Sequence, residues 1–175
     1  MNGPRFVFKL MILGDPSVGK TSLVRRYIEN RFSEDYLSTI GVDFLKKDIN
    51  VDGTYVTIVL WDVAGQAKYA NFKKHYYKGA NFFIIVFDIT KKPTYMNIGR
   101  WLKDAQEILG DDVYFAIFAN KADLEDQREV EDYGAFKLME NLIEFEETSA
   151  KTGHNVNEIF TKIARFLIEK QINQI

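Results

Sequence analysis

The chain has 175 residues, 46% hydrophobic and 27% charged, with a formal net charge of −2. That is the make-up of one soluble globular domain, and a near-neutral balance without a basic run argues against a nucleic-acid-binding surface. Cysteine is absent, which excludes disulfides and thiolate metal sites and fits a cytoplasmic setting, and no apolar run nears the roughly 20 residues of a membrane span.

In chain order, the apolar run Phe6–Leu13 reads as a buried strand, and Thr21–Asn30 follows with helical spacing. Between them stands Gly14-Asp15-Pro16-Ser17-Val18-Gly19-Lys20-Thr21, which matches the G-x-x-x-x-G-K-[ST] phosphate loop. Phe44–Val51 and Tyr55–Asp62 are strands joined by Asp52-Gly53, a strong hairpin turn, so these two are expected to run antiparallel. A helix around Tyr69–Lys78 precedes the strand Phe82–Asp88, and a helix over Thr94–Leu109 precedes the strand Val113–Ala119. Both strands are almost unbroken apolar runs, as central parallel strands covered on two faces require. A helix over Asp132–Asn141, a short strand Leu142–Phe145 and an amphipathic helix over Val156–Gln171 complete the pattern. The alternation predicts a single α/β domain over residues 1–175. Its six-stranded, mostly parallel sheet has one antiparallel strand and about five flanking helices. Ligands of such sheets sit at the carboxyl ends of the strands, where every motif below falls.

In the phosphate loop, backbone N–H groups and the helix N-terminus are expected to cradle phosphate. Lys20 would reach the β- and γ-phosphates, and the Thr21 hydroxyl would ligate Mg²⁺. Asp62-Val63-Ala64-Gly65 places a carboxylate at a strand end, suited to a Mg²⁺ hydration shell, with Gly65 N–H aimed at a terminal phosphate. Gln66 follows, an amide able to orient an attacking water. Asn120-Lys121-Ala122-Asp123 follows another strand. A carboxylate at Asp123 accepts together from N1–H and the 2-amino group, a pair that guanine offers and adenine does not. The Lys121 stem can lie along the base, and Asn120 can tie its loop back to the phosphate loop.

The order and spacing of Gly14–Thr21, Thr39, Asp62–Gln66, Asn120–Asp123 and Glu147-Thr148-Ser149-Ala150-Lys151 resemble a small GTPase of the Ras superfamily. Within it, Thr39–Phe44, Leu60-Trp61-Asp62, Tyr76–Ala80, Phe87-Asp88-Ile89-Thr90 and Asn97 with Trp101-Leu102 resemble the Rab family of vesicle-traffic regulators. The likeness runs from Phe6 to Lys170 and implies a P-loop G domain that binds GTP or GDP with Mg²⁺ and slowly hydrolyses GTP.

The resemblance also assigns roles. Gly14, Asp15, Ser17, Val18, Gly19, Lys20, Thr21 and Ser22 would hold the nucleotide; Thr39 would complete a Mg²⁺ site with Thr21 and Asp62. Phe32 would cover the base edge, and Ser149, Ala150 and Lys151 would contact its oxygen beside Asn120, Lys121 and Asp123. Gln66 and Lys20 would serve hydrolysis, with Gly65 sensing the third phosphate. Phe44, Trp61 and Tyr76 correspond to an aromatic triad through which effectors bind. An exchange factor and a GTPase-activating protein are implied as further partners of an otherwise monomeric chain.

Three features depart from the pattern. Ala67 replaces a customary acidic residue, Pro16 removes an N–H from the phosphate loop, and the usual flexible, prenylated tail ending in cysteines is absent after Ile175. A lipidated full-length protein would work on the cytosolic face of endomembranes. The alternative reading is a nucleotide-binding interaction module with impaired hydrolysis or exchange, part of a longer protein.

Overall fold

The computed structural model describes residues 5–33, 39–64, 73–134, 136 and 139–173. Its elements are β1 (Arg5–Leu13), α1 (Lys20–Glu29), β2 (Val42–Val51), β3 (Thr54–Val63), α2 (Lys73–Tyr77) and β4 (Phe82–Asp88). These are followed by α3 (Lys92–Met96), α4 (Ile98–Leu109), β5 (Phe115–Asn120), β6 (Leu142–Thr148) and α5 (Val156–Ile172), with a 3₁₀ turn at Glu125–Gln127. The strands form one sheet in the order β2-β3-β1-β4-β5-β6. All pairings are parallel except β2 with β3. Asp52 and Gly53 both adopt positive φ, 51° and 87°, and Val51 pairs directly with Thr54, so the two-residue loop twists as a hairpin requires.

Every residue of β4 and β5 is buried, because helices cover both faces there. On one face, Leu23, Val24 and Tyr27 of α1 and Ile159, Phe160 and Ile163 of α5 pack on Leu10, Ile84 and Phe118. On the other, Ile98, Trp101, Leu102 and Ala105 of α4 pack on Met11, Phe83, Ile85 and Ile117. Each such side chain contributes about 1.5–3 kcal/mol by leaving water. Register then aligns the carboxyl ends: Asp88 pairs with Asn120, and Asn120 with Thr148, setting three polar residues side by side at one rim.

The sheet and its antiparallel pair match the sequence expectation, and three details correct it. The helix expected over Thr94–Leu109 is two helices, α3 and α4, meeting at Asn97, where ψ opens to −4° and the Asn97 carbonyl takes the Arg100 N–H three residues on at 3.1 Å. Low-propensity Gly99 follows the joint. Over Asp132–Asn141 the described residues form turns. The Asp132 carboxylate takes the Gly134 N–H at 2.8 Å, a local bond that competes with helix. The bonds Met139 N–H to Phe136 O and Leu142 N–H to Met139 O span only three residues. Finally, β6 runs on to Thr148 rather than stopping at Phe145, since an edge strand tolerates Glu144, Glu146 and Glu147 half in solvent. Of the helix expected over Tyr69–Lys78, Lys73–Tyr77 is helical and residues 69–72 lie outside the described residues. No helix among the described residues is long and apolar enough to cross a membrane.

Candidate functional site

The loop between β1 and α1 turns repeatedly through positive φ, at Gly14 (142°), Ser17 (66°) and Gly19 (99°). That curls the backbone into a concavity at the N-terminus of α1, the geometry of an anion nest. Two glycines are sterically required. A Cβ on Gly14 would lie 2.3 Å from Val86 O, and one on Gly19 would lie 2.3 Å from Asn120 Nδ2. Lys20 folds back into the concavity, its Nζ donating to Gly14 O and Asp15 O at 2.8 Å each. It is 6% exposed, and burial pulls its ammonium down to about 8 against the opposing pull of Asp62 and Asp15. A buried, desolvated cation at the mouth of an anion nest is poised for phosphate.

Asp15 is placed differently from its neighbours. Its backbone lies in the loop, while its carboxylate turns away to accept from Asn97 Nδ2 (2.6 Å), Trp101 Nε1 (2.9 Å) and Arg100 Nη2 (3.2 Å).

Beside Lys20, three oxygen-bearing side chains from three segments converge. Thr21 Oγ1 lies 2.6 Å from Thr39 Oγ1 and donates to Asp62 Oδ2; Thr39 Oγ1 is 3.4 Å from the same oxygen. Asp62 is 1% exposed, and its Oδ1 is buried without a hydrogen-bond partner. Burial raises its carboxyl, opposed by the Thr21 hydrogen bond and Lys20. Two hydroxyls and a carboxylate with a free buried oxygen are a hard donor set that fits Mg²⁺. No group of three or more His, Cys, Asp or Glu suited to a metal occurs among the described residues, so the hydroxyls are integral to this site.

The segments expected to read a base line a cleft of about 440 Å³ whose walls include Ser17, Ser22, Phe32, Lys121, Asp123 and Ala150. Asn120 is 1% exposed and joins three loops. Its Nδ2 donates to Val18 O at 2.8 Å, and its Oδ1 accepts from Thr148 Oγ1 and Ala150 N–H at 3.3 Å. Ser149 Oγ donates to Asp123 Oδ1 at 2.5 Å, fixing the carboxylate that faces the cleft. Phe32 stands at the rim, 36% exposed. Lys151 lines the same cleft.

Several contacts that hold this frame were not evident from the sequence, although Lys121 itself was singled out there. Arg26 donates from Nε to Ala150 O at 2.7 Å and from Nη2 to Lys151 O at 2.6 Å, tying α1 to the last base loop. Lys121, at φ 70°, forms an ion pair with buried Asp88 at 2.6 Å. Arg128 holds Glu147 through two nitrogens at 2.8 and 3.0 Å, and Tyr133 donates to the same carboxylate at 2.5 Å. Contacts spanning tens of residues leave no periodic trace. Gly65 and Gln66, with Ala67, lie outside the described residues.

A second surface adjoins the metal-suited corner. Phe44, 57% exposed, stacks on half-buried Trp61 with ring centroids 5.6 Å apart. Lys9 Nζ sits 3.9 Å over the Trp61 ring and donates to Lys78 O at 3.0 Å and to Tyr76 O. The chain thus gathers Phe44, Trp61 and the Tyr76 backbone around one lysine, and Ile40, 83% exposed, extends the apolar area.

The fold and this site together define a P-loop G domain. Residues 9–169 match the Ras family. The Ras-related protein Rab-4B of Homo sapiens is 39% identical over 166 residues, covering 94% of this chain and 78% of that protein. The Ras-related protein Rab-13 of Canis lupus familiaris is 40% identical over 165 residues, covering 94% of this chain and 81% of that protein. The EF-hand calcium-binding domain-containing protein 4B of Homo sapiens is 38% identical over 171 residues, but this chain spans only 23% of its length. The chain belongs to the Ras family, as a Rab-like small GTPase.

Proposed function

We propose that the chain is a switch that binds GTP or GDP with Mg²⁺, hydrolyses GTP slowly, and regulates membrane traffic in the manner of a Rab protein. One observation carries the reading: Asn120 ties the phosphate loop to the Ala150 loop, Asp123 lines one cleft with Ser17 and Gly19 of the phosphate loop, and Thr21 at the end of that loop meets Thr39 and Asp62. Asp123 selects guanine, since an adenine would leave its carboxylate unpaired in a desolvated site. Lys20 stabilises charge on the β- and γ-phosphates; Thr21, Thr39 and Asp62 would hold Mg²⁺, which when bound would supply neutralisation of the negative charge that develops in phosphoryl transfer. Gly65 N–H contacts the terminal phosphate, and Gln66 orients the attacking water. Thr39 thereby reports the third phosphate to the adjoining Phe44–Trp61 surface, where effectors dock, with an exchange factor and a GTPase-activating protein acting on the same region. Such an activating partner would supply an arginine, as none in this chain matches a finger in cis.

Competition of GTP against ATP for the purified chain, followed by single-turnover GTP hydrolysis of the wild type and Gln66→Leu, tests this. Tighter GTP binding and a slowing of at least about tenfold are expected. Tighter ATP binding overturns the guanine assignment, and an unchanged rate removes Gln66 from the chemistry. A second reading, a module that holds nucleotide without turning it over, is favoured by exposed Pro16 in the phosphate loop. It predicts the same binding with no turnover even when activating proteins are added.

A further inference from the structure

We infer that Asp15 is a positioning residue that clamps the phosphate loop to the α3–α4 joint and thereby sets where the Lys20 ammonium stands. The inference rests on the nucleotide reading above and assigns a part to residues outside the loop. The Asp15 carboxylate is 12% exposed and accepts three donors, all from one short stretch: Asn97 at the helix joint, then Arg100 and Trp101 on the first turn of α4. The same residue's carbonyl oxygen, on the other side of the backbone, accepts the Lys20 Nζ at 2.8 Å. A rotation of the Asp15 peptide would move that acceptor, so the carboxylate and the lysine are mechanically coupled through one residue.

The anchor itself is firm. Trp101 is 6% exposed and embedded in the apolar layer beneath α4, and its indole N–H is a fixed donor. At the joint between α3 and α4, Asn97 Nδ2 reaches Asp15 at 2.6 Å. The next residue, Pro16, brings no N–H with which the loop could hold itself. Elsewhere the loop is secured by the Asn120 bond to Val18 O and by the close fit of Gly14 on Val86. Without the clamp, the stretch between those two fixings carries one of the two Lys20 acceptors, Asp15 O, unsupported. A charge-assisted carboxylate cluster in a mostly desolvated corner is the kind of contact that imposes geometry.

The clamp acts at the β-phosphate end, so its loss should weaken nucleoside diphosphate far more than monophosphate. Affinities of GDP and GMP are measured for the wild type, Trp101→Phe, Asp15→Ala and the double variant, by displacement of a fluorescent GDP, with Tm recorded for each. Trp101→Phe removes one donor without touching the loop. It is expected to lower GDP affinity about tenfold, the worth of one charge-assisted hydrogen bond, with GMP changed less than about twofold. Asp15→Ala removes the acceptor of all three donors and is expected to lower the ratio of GDP affinity to GMP affinity further, with Tm separating loss of the clamp from loss of fold. The double variant should then match Asp15→Ala alone. Equal losses for GDP and GMP, or an unchanged ratio in both single variants, overturn the clamp while leaving nucleotide binding intact. A wild-type chain that holds GDP no better than GMP overturns the clamp and the nucleotide reading together.

Discussion

Gly19 stands at φ 99° with the Asn120 amide pressed into the space where a side chain would begin. Gly19→Ala must displace that amide, break its bond to Val18 O and strain the backbone. Together these cost about 2–5 kcal/mol, to be read as a lowered urea midpoint. GDP binding is expected to fall with it, because Asn120 is what couples the phosphate loop to the base loops. Asp123→Asn tests the base reader. An amide presents a donor where the carboxylate presented an acceptor, so guanine should lose at least about tenfold in affinity and xanthine, with an oxygen in place of the 2-amino group, should gain. Competition between GDP and xanthosine diphosphate measures the exchange. The motifs proposed for phosphate, metal and base, Gly14–Thr21, Asp62–Gly65 and Asn120–Asp123, were legible because each such chemistry demands a contiguous motif. The residues that hold the motifs in place, Arg26, Asp88 and Arg128, were not, since each meets a partner far along the chain and is, by local pattern, only a surface charge or a strand end.

At the scale of elements, the strands were readable almost to the residue where burial is two-sided, as in Phe82–Asp88, and least so at the β6 edge, where half-exposed glutamates blur the apolar signal. Helices failed where side-chain hydrogen bonding outweighed periodicity. Asn97 interrupts an apolar pattern that would otherwise run from Thr94 to Leu109, and the Asp132 turn overrides another. Helix α5 shows an apolar stripe in the sequence and buries it, from Val156 to Ile168, against the sheet. Its Phe160 is fully buried, stacked on Tyr27 at 4.0 Å and edge-on to Phe118 at 5.6 Å. Phe160→Ala is expected to cost about 3–5 kcal/mol, seen as a fall in Tm. Tyr27 lies on the helix that begins at the phosphate loop, so added GDP should recover part of that loss.

Across the whole molecule, the segment after Asp123 is bound to β6 by Arg128, Glu125, Tyr133 and Glu147. Burial alone would raise the Glu147 carboxyl, but hydrogen bonds from Arg128 and Tyr133 outweigh it and hold the group below the ordinary 4.5. Burial and the Glu147 hydrogen bond lift the Tyr133 hydroxyl to about 12. A carboxylate depressed on folding stabilises the native state fully above about pH 4.5, and that stabilisation fades as pH falls through the lower folded value. Arg128→Met should therefore cost about 1 kcal/mol near neutrality, a modest figure because Glu147 is one-third exposed and screened. The gap between variant and wild type should narrow as pH falls below the ordinary carboxyl value of 4.5, in thermal melts taken across that range up to pH 8.

The hydrogen bonds from Arg26 to Ala150 and Lys151 bridge 124 and 125 residues, and this bears on when during synthesis the protein can first hold its ligand. The phosphate loop leaves the ribosome early, but the base loops, Thr148 and the arginine's two acceptors emerge only near the far end of the chain. The central strand β1 likewise waits for β3 and β4 before either of its edges is satisfied. Nascent chains arrested before Thr148 are expected to pass through immobilised GDP, and those extended beyond α5 to be retained. Nucleotide capture then marks the end of folding, so a chain that carries GDP has, by that fact, closed its sheet.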